Sequence, residues 1–164
     1  MSIFYKSVRV GKHGKKFQMY KLRTMVEGAD RIGPPSTSGD DTRITKAGQF
    51  LRKYKLDELP QLWNVIRGDM ALVGPRPEVP EVVKLMTTRE QCVILSVKPG
   101  ITDLASLWNY NEEERLAGAK DPHTTYLKEI WPEKKRLQIE YVEKKSAWLD
   151  FKILIWTIKK LLIR

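Results

Sequence analysis

One proline decides how the most charged part of this chain can fold. Pro60 follows Leu56-Asp57-Glu58-Leu59. A proline disfavours helical geometry in the residue before it and lacks a backbone donor, so the basic helix that starts near Thr45, a suitable N-cap, is predicted to end before Leu59. Ala47, Phe50, Leu51 and Tyr54 share one face of that helix, and Arg43, Lys46, Arg52, Lys53 and Lys55 decorate the rest. The same proline suits the first turn of a new helix, predicted over Gln61–Ile66. Asp57 and Glu58 thus fall in the connection, close to the N-terminus of the second helix. A turn at Arg67-Gly68-Asp69 leads to a short strand over 70–73 and on to Gly74-Pro75-Arg76-Pro77, a stiff loop carrying one arginine.

The segments around this motif are less sharply defined. Val8-Arg9-Val10, Gly11-Lys12-His13-Gly14 and Phe17-Gln18-Met19-Tyr20-Lys21 read as a hairpin. Residues 27–42 hold Gly28, Gly33, Pro34, Pro35, Ser36, Ser38 and Gly39, the pattern of a long loop: a lid, a binding segment or a mobile surface. Helices are predicted over 78–86, 132–145 and 147–162, with a short apolar run at 93–97 and a turn at Pro99-Gly100. With 164 residues, 41% of them hydrophobic, the chain can bury a core. The fold class expected is α+β: one domain over 1–164, a small N-terminal β-hairpin or sheet packed with several helices, and an amphipathic C-terminal helix.

Thirty Lys and Arg against 20 Asp and Glu leave a formal net charge of +10. Such a surface attracts polyanions, which include nucleic acid, anionic membranes and phosphorylated substrates. Charge alone supports a basic nucleic-acid-binding module; no RNP-like aromatic motif, zinc-ligand spacing or helix-turn-helix signature accompanies it, and nucleic acid is not an expected partner. The single Cys92 excludes an intrachain disulfide and fits a reducing compartment. His13 and His123 have no metal-ligand partner at a recognisable spacing.

Two adjacent carboxylates repel each other, and a divalent cation relieves the repulsion. Mg²⁺ is commonly held by one or two carboxylates plus phosphate oxygens, and a carboxylate can also attack phosphorus. The alternative is that Asp57 and Glu58 cap the helix at Pro60 and pair with Lys53 or Lys55. Arg76, in its stiff turn, suits bidentate phosphate recognition or is simply solvated. Lys21 and Arg23 point at a phosphate or alternate into water. Asp150 opens an otherwise apolar helix, where an acidic residue is favourable without any catalytic role.

Taken in order, Arg9 to Lys15, Tyr20-Lys21-Leu22-Arg23-Thr24-Met25, Leu51-Arg52-Lys53, Leu56 to Leu62, Gly68-Asp69-Met70, Val73 to Pro77 and Lys98-Pro99-Gly100-Ile101-Thr102 resemble the bacterial sugar transferases, the small monotopic phosphoglycosyl transferases. The resemblance covers most of 9–102 and resumes weakly over 141–154. It implies transfer of a sugar-1-phosphate from a UDP-sugar to a polyprenyl (undecaprenyl) phosphate with release of UMP, initiating capsule, exopolysaccharide, O-antigen or glycoprotein glycan assembly. It further implies Asp57 as the nucleophile of a covalent phosphosugar intermediate and Mg²⁺ held by Glu58 with Asp57. Lys21, Arg23, Arg52 and Arg76 are then the phosphate-binding candidates, with Pro75 and Asp150 as additional active-site candidates. The implied location is the cytoplasmic face of the bacterial inner membrane, peripheral or monotopic.

Two departures from the family pattern stand out. Members usually open with a hydrophobic re-entrant helix, and this sequence starts at Met1-Ser2-Ile3-Phe4, about where that segment would have ended; the chain is expected to be either truncated or naturally anchorless. After Ile101-Thr102 many members carry Gly, where this chain carries Asp103-Leu104-Ala105. At the C-terminus, Phe151, Ile153, Leu154, Ile155, Trp156, Ile158, Leu161, Leu162 and Ile163 cover most of a helix, with Lys152, Lys159, Lys160 and Arg164 as a basic stripe. That pattern suits a helix lying in an anionic membrane interface or a core helix with a wide apolar face. A membrane-surface scaffold with the same fold and no activity is the other alternative.

Overall fold

The computed structural model describes residues 2–33 and 36–163. Met1, Pro34 and Pro35 of the 27–42 loop, and Arg164 of the basic stripe lie outside them. Strands β1 (Phe4–Val10) and β2 (Lys16–Leu22) form the hairpin, antiparallel, with Phe4 opposite Leu22 and Val10 opposite Lys16. Within 27–42 lies a short helix, α1 (Ala29–Ile32), and a bridge between Met25 and Ile44 closes the base of the excursion.

Helix α2 (Lys46–Lys53) begins where predicted: Thr45 accepts the Gly48 N–H with its hydroxyl at 3.0 Å. Its apolar face is not the buried one. Phe50 is 58% and Tyr54 45% exposed, and their rings pair at 4.9 Å on the surface. The side turned inward carries Gly48, because a Cβ there would stand 1.9 Å from the Thr24 carbonyl oxygen. Gly48→Ala is therefore expected to cost about 1–3 kcal/mol, the range for forcing extra volume into a packed contact; denaturant unfolding checks it.

A 3₁₀ turn over Leu56–Glu58 carries the carboxylates into α3 (Gln61–Ile66). Leu59, predicted to leave the helical region ahead of Pro60, stays in it at φ −53° and ψ −37°. Its N–H is bonded to Leu56 and its carbonyl to the Leu62 N–H, so the turn and α3 run on almost without a break. Strand β3 (Ala71–Val73) pairs in parallel with β4 (Gly100–Thr102). The crossover between them holds α4 (Pro80–Val83) and α5 (Thr88–Ile94). The helix predicted over 78–86 is thus confined to one turn, which starts at Pro80; Glu78 instead receives the Val10 N–H on its carbonyl.

Short helices α6 (Leu104–Trp108), α7 (Glu112–Leu116) and α8 (Pro122–Thr125) follow, then a wide turn over Tyr126–Ile130, α9 (Trp131–Glu143) and α10 (Ala147–Leu162). α9 is the spine. Ile130 and Trp131 at its start pack with Val10, Val82, Val83, Ile94 and Leu116. Tyr141 near its end packs with Val73, Leu107 and Ile153. The architecture is α+β, as expected.

Candidate active site

The carboxylate turn is fixed to the hairpin by one buried amide. Asn64 of α3 donates to the Gln18 carbonyl at 2.7 Å and accepts from the Tyr20 N–H at 3.1 Å, so it bonds the free edge of β2 as another strand would. Lys21, next along β2, is thereby set beside the carboxylates. Its Nζ lies 3.0 Å from Glu58 Oε1 and 3.9 Å from Asp57 Oδ2. From the opposite side Arg76 grips Glu58 with both arms, Nη1 to Oε2 at 3.0 Å and Nη2 to Oε1. Neither carboxylate caps α3 with its side chain; Glu58 pairs with Lys21 and Arg76, and Lys55 bears on Asp57 through its charge.

The two acids differ in electrostatic state. Burial alone would push Glu58 up, but the charges and hydrogen bonds of Arg76 and Lys21 hold it well below the usual carboxylate range. Asp57 is buried and its pKa is raised: desolvation outweighs the pull of Lys21, and Glu58 adds repulsion. Burial likewise lowers Lys21. Glu58 is thus tightly ion-paired and fixed, while Asp57 is a desolvated carboxyl that lies 3.9 Å from Lys21 Nζ. Lys55, just before this turn, sits at φ 55°, a left-handed strain of about 1–2 kcal/mol for a residue with a side chain. It reverses the chain so that Asp57 turns inward.

The other candidates divide. Arg52 donates to Thr24 Oγ1 at 2.8 Å and to Glu113 at 2.9 Å, and its charge is felt at Asp57. Arg23 bonds the Ser2 carbonyl at 2.9 Å and makes no ion pair with either carboxylate among the described residues. Asp150 accepts from the Tyr141 hydroxyl at 2.7 Å, and that hydroxyl is 3.3 Å from the Val73 carbonyl. Asp150 is thus tied to the base of the Arg76 loop. Pro75 is buried, and its carbonyl receives the Gly100 N–H at 3.1 Å. Gly74 and Gly100 are pressed together so closely that a Cβ on Gly100 would lie 2.1 Å from the Gly74 nitrogen.

Sequence reasoning missed the layer behind the loop. Glu78 and Lys134 form a buried pair at 2.6 Å, the Tyr126 hydroxyl donates to Glu78 at 3.1 Å, and Arg9 reaches the Pro77 carbonyl at 3.5 Å. Lys134 stands in an otherwise helical charge pattern, so nothing local marked it as buried. Among the described residues no three His, Cys, Asp or Glu side chains converge on a metal position. Asp57 and Glu58 offer two carboxylates, with both Glu58 oxygens already accepting from Arg76 and one of them also from Lys21, which is too few for an all-protein cage. It does fit Mg²⁺, which takes one or two carboxylates and fills its shell with phosphate and water.

The profile of the family described as bacterial sugar transferase matches residues 1–164. The chain belongs to that family, and with it to the transferases. It is 40% identical over 161 residues to the uncharacterised sugar transferase EpsL of Bacillus subtilis (strain 168), covering 98% of this chain and 70% of that protein. It is 35% identical over 167 residues to the UDP-glucose:undecaprenyl-phosphate glucose-1-phosphate transferase of Xanthomonas campestris pv. campestris, covering 98% and 31%. It is 34% identical over 175 residues to the undecaprenyl-phosphate galactose phosphotransferase of Salmonella typhimurium, covering 98% and 33%. The chain thus spans about a third of the length of the last two proteins.

Proposed function

We propose that this chain transfers a sugar-1-phosphate from a UDP-sugar to undecaprenyl phosphate, using Asp57 as a covalent nucleophile. The observation that carries the reading is the pairing of a desolvated Asp57 with a Glu58 held between Lys21 and Arg76. A carboxylate oxygen of Asp57 attacks the phosphorus that bears the sugar. The bond from that phosphorus to the bridging oxygen breaks, and UMP leaves with the oxygen. An oxygen of the lipid phosphate then attacks the same phosphorus and returns Asp57 to its carboxylate. Lys21, Arg76 and Arg52 supply cations around phosphates whose charge spreads in the transition state. Mg²⁺, held by Glu58 and Asp57, would neutralise part of the diphosphate charge. The test is a panel of UDP-sugars scored for UMP release with and without EDTA. No release from any of them, or full activity in excess EDTA, would overturn the corresponding part of the reading.

The acceptor is a lipid, and two apolar faces support work at a membrane surface. On α3, beside the carboxylates, Leu62, Trp63 and Ile66 are 45%, 54% and 74% exposed. On α10 only Ile153 is fully buried, while Trp148, Phe151, Trp156, Ile158 and Leu162, and Ile163 just after it, are exposed. No described helix is long and apolar enough to cross a membrane. Lys152 and Lys159 flank the exposed face, and basic residues at an anionic surface contribute about 1 kcal/mol each, screened by salt. Liposomes rich in anionic lipid should therefore float the protein at low salt. Binding should fall as salt rises, and fall again in Lys152→Glu/Lys159→Glu. Lys160 is left intact because it bonds the Leu107 carbonyl. An absence of flotation at low salt would count against the membrane reading.

A further inference from the structure

Arg76 is held by its backbone as well as by its side chain. Its N–H donates to Asp103 Oδ2 at 3.2 Å, and its carbonyl accepts from Gln138 Nε2 at 3.2 Å. Both gripping side chains are 0% exposed. They arrive from separate elements: Asp103 is the N-cap of α6 and Gln138 lies in the middle of α9. The other oxygen of Asp103 accepts the Ser106 N–H at 2.7 Å, so the first turn of α6 fixes the carboxylate that fixes Arg76. Above this grip the guanidinium also reaches the Ile101 carbonyl at 3.4 Å and closes on Glu58.

The grip is not the cheapest way to fill these positions. Gln138 Oε1 is buried with no protein partner among the described residues, and such an orphaned acceptor is destabilising relative to a satisfied one. An apolar side chain of similar size would fill the same space without it. Asp103 has no ion-pair partner among the described residues and serves only as an acceptor for two N–H groups. Each side chain does something specific that packing alone does not require: together they immobilise both peptide groups of the residue whose guanidinium faces Glu58.

We propose that Asp103 and Gln138 are positioning residues for sugar-phosphate transfer, acting through Arg76. The proposal rests on the functional reading above. A planar guanidinium delivers two parallel hydrogen bonds only when its direction is fixed, and small misplacements at a reacting centre cost up to about a hundred-fold in rate. Freeing either peptide group of Arg76 lets the fork swing, and the loss falls on turnover more than on donor binding.

The experiment is a double-mutant cycle with UMP release as one readout and the guanidinium Nη–H NMR signal of Arg76, whose Nη groups bond Glu58, as the other. Asp103→Asn and Gln138→Met should each lower kcat between about ten- and a hundred-fold, with a smaller change in donor KM. In an Arg76→Ala background neither should lower it further, because the element they orient is gone. Gln138→Met guards against simple unfolding, since it removes the orphaned oxygen and should keep a near-native circular dichroism spectrum and melting temperature. Losses that add fully in the Arg76→Ala background would overturn the proposal. If the unsubstituted protein releases no UMP from any donor, the functional reading fails, and the NMR signal decides the positioning claim alone. A sharp Arg76 signal that broadens or vanishes in both variants supports the grip; one unchanged in both overturns it.

Discussion

Asp57→Asn is expected to abolish sugar-phosphate transfer, by on the order of 10³-fold or more, while leaving the protein folded. The amide keeps the shape of the side chain but is no longer an anionic nucleophile, and removal of a covalent nucleophile is among the largest single losses an active site can suffer. Intact-mass measurement with donor alone should show one added phosphosugar on the unsubstituted protein and none on Asp57→Asn. The stability of this variant separates chemistry from folding. Burial and the neighbouring Glu58 raise the Asp57 carboxyl above its usual range, so the folded state disfavours the ionised form once the pH rises through that value. Asp57→Asn should therefore melt at or above the temperature of the unsubstituted protein at neutral pH, the difference disappearing in acid. An adduct mapped to another residue, or near-normal turnover by Asp57→Asn, would refute the assignment.

Arg76→Ala should show the largest combined loss of activity and stability. Arg76 makes two hydrogen bonds to Glu58 in a part-buried site, and removing one partner of a buried pair leaves a charge whose desolvation is no longer offset, at about 3 kcal/mol or more. Lys21 remains on Glu58 and keeps the loss from the top of that range. Because Glu58 is held well below the ordinary carboxylate value in the native protein, its contribution is present above that value and lost as pH falls through the lowered one. The gap in unfolding free energy between the unsubstituted protein and Arg76→Ala should be widest near neutrality and shrink on acidification. A gap independent of pH would mean that Arg76 stabilises the fold without acting on Glu58. Arg76→Lys should be intermediate, since an ammonium keeps the charge but loses the fork.

Much of this was legible in the linear chain, because short-range chemistry governs it. The cap at Thr45, the stiff Gly74-Pro75-Arg76-Pro77 loop and the bounds of α10 follow from propensities acting within a few residues; the break expected before Pro60 did not, because Leu59 keeps helical geometry. The acidic pair beside a proline left two readings open, and the resemblance of the surrounding motifs to the sugar transferases made Asp57 and Glu58 the candidates. Apolar spacing places Phe50 and Tyr54 on one face of α2, but that face is exposed, and close backbone packing turns Gly48 inward instead. A residue without a side chain carries no hydrophobic signal.

The partners of Glu58 were beyond the reach of sequence. Lys21 and Arg76 are 37 and 18 positions away from it, and they meet because Asn64 bonds the edge of β2 while parallel pairing of β3 with β4 sets the Arg76 loop opposite. The same applies to Asp103 and Gln138. The sequence marked Asp103 as a departure from the family pattern, which was a signal that something there had changed, but left its partner open. Gln138 carried no signal at all, one glutamine in a helix of mixed charge. The sequence by itself determined the N-cap at Thr45, the bounds of α10 and which residues could do phosphoryl chemistry, since those depend on neighbours along the chain. Only the tertiary structure decided that Glu58 is gripped from two sides while Asp57 is desolvated beside it, because desolvation and charge pairing depend on what lies within a few ångströms in space.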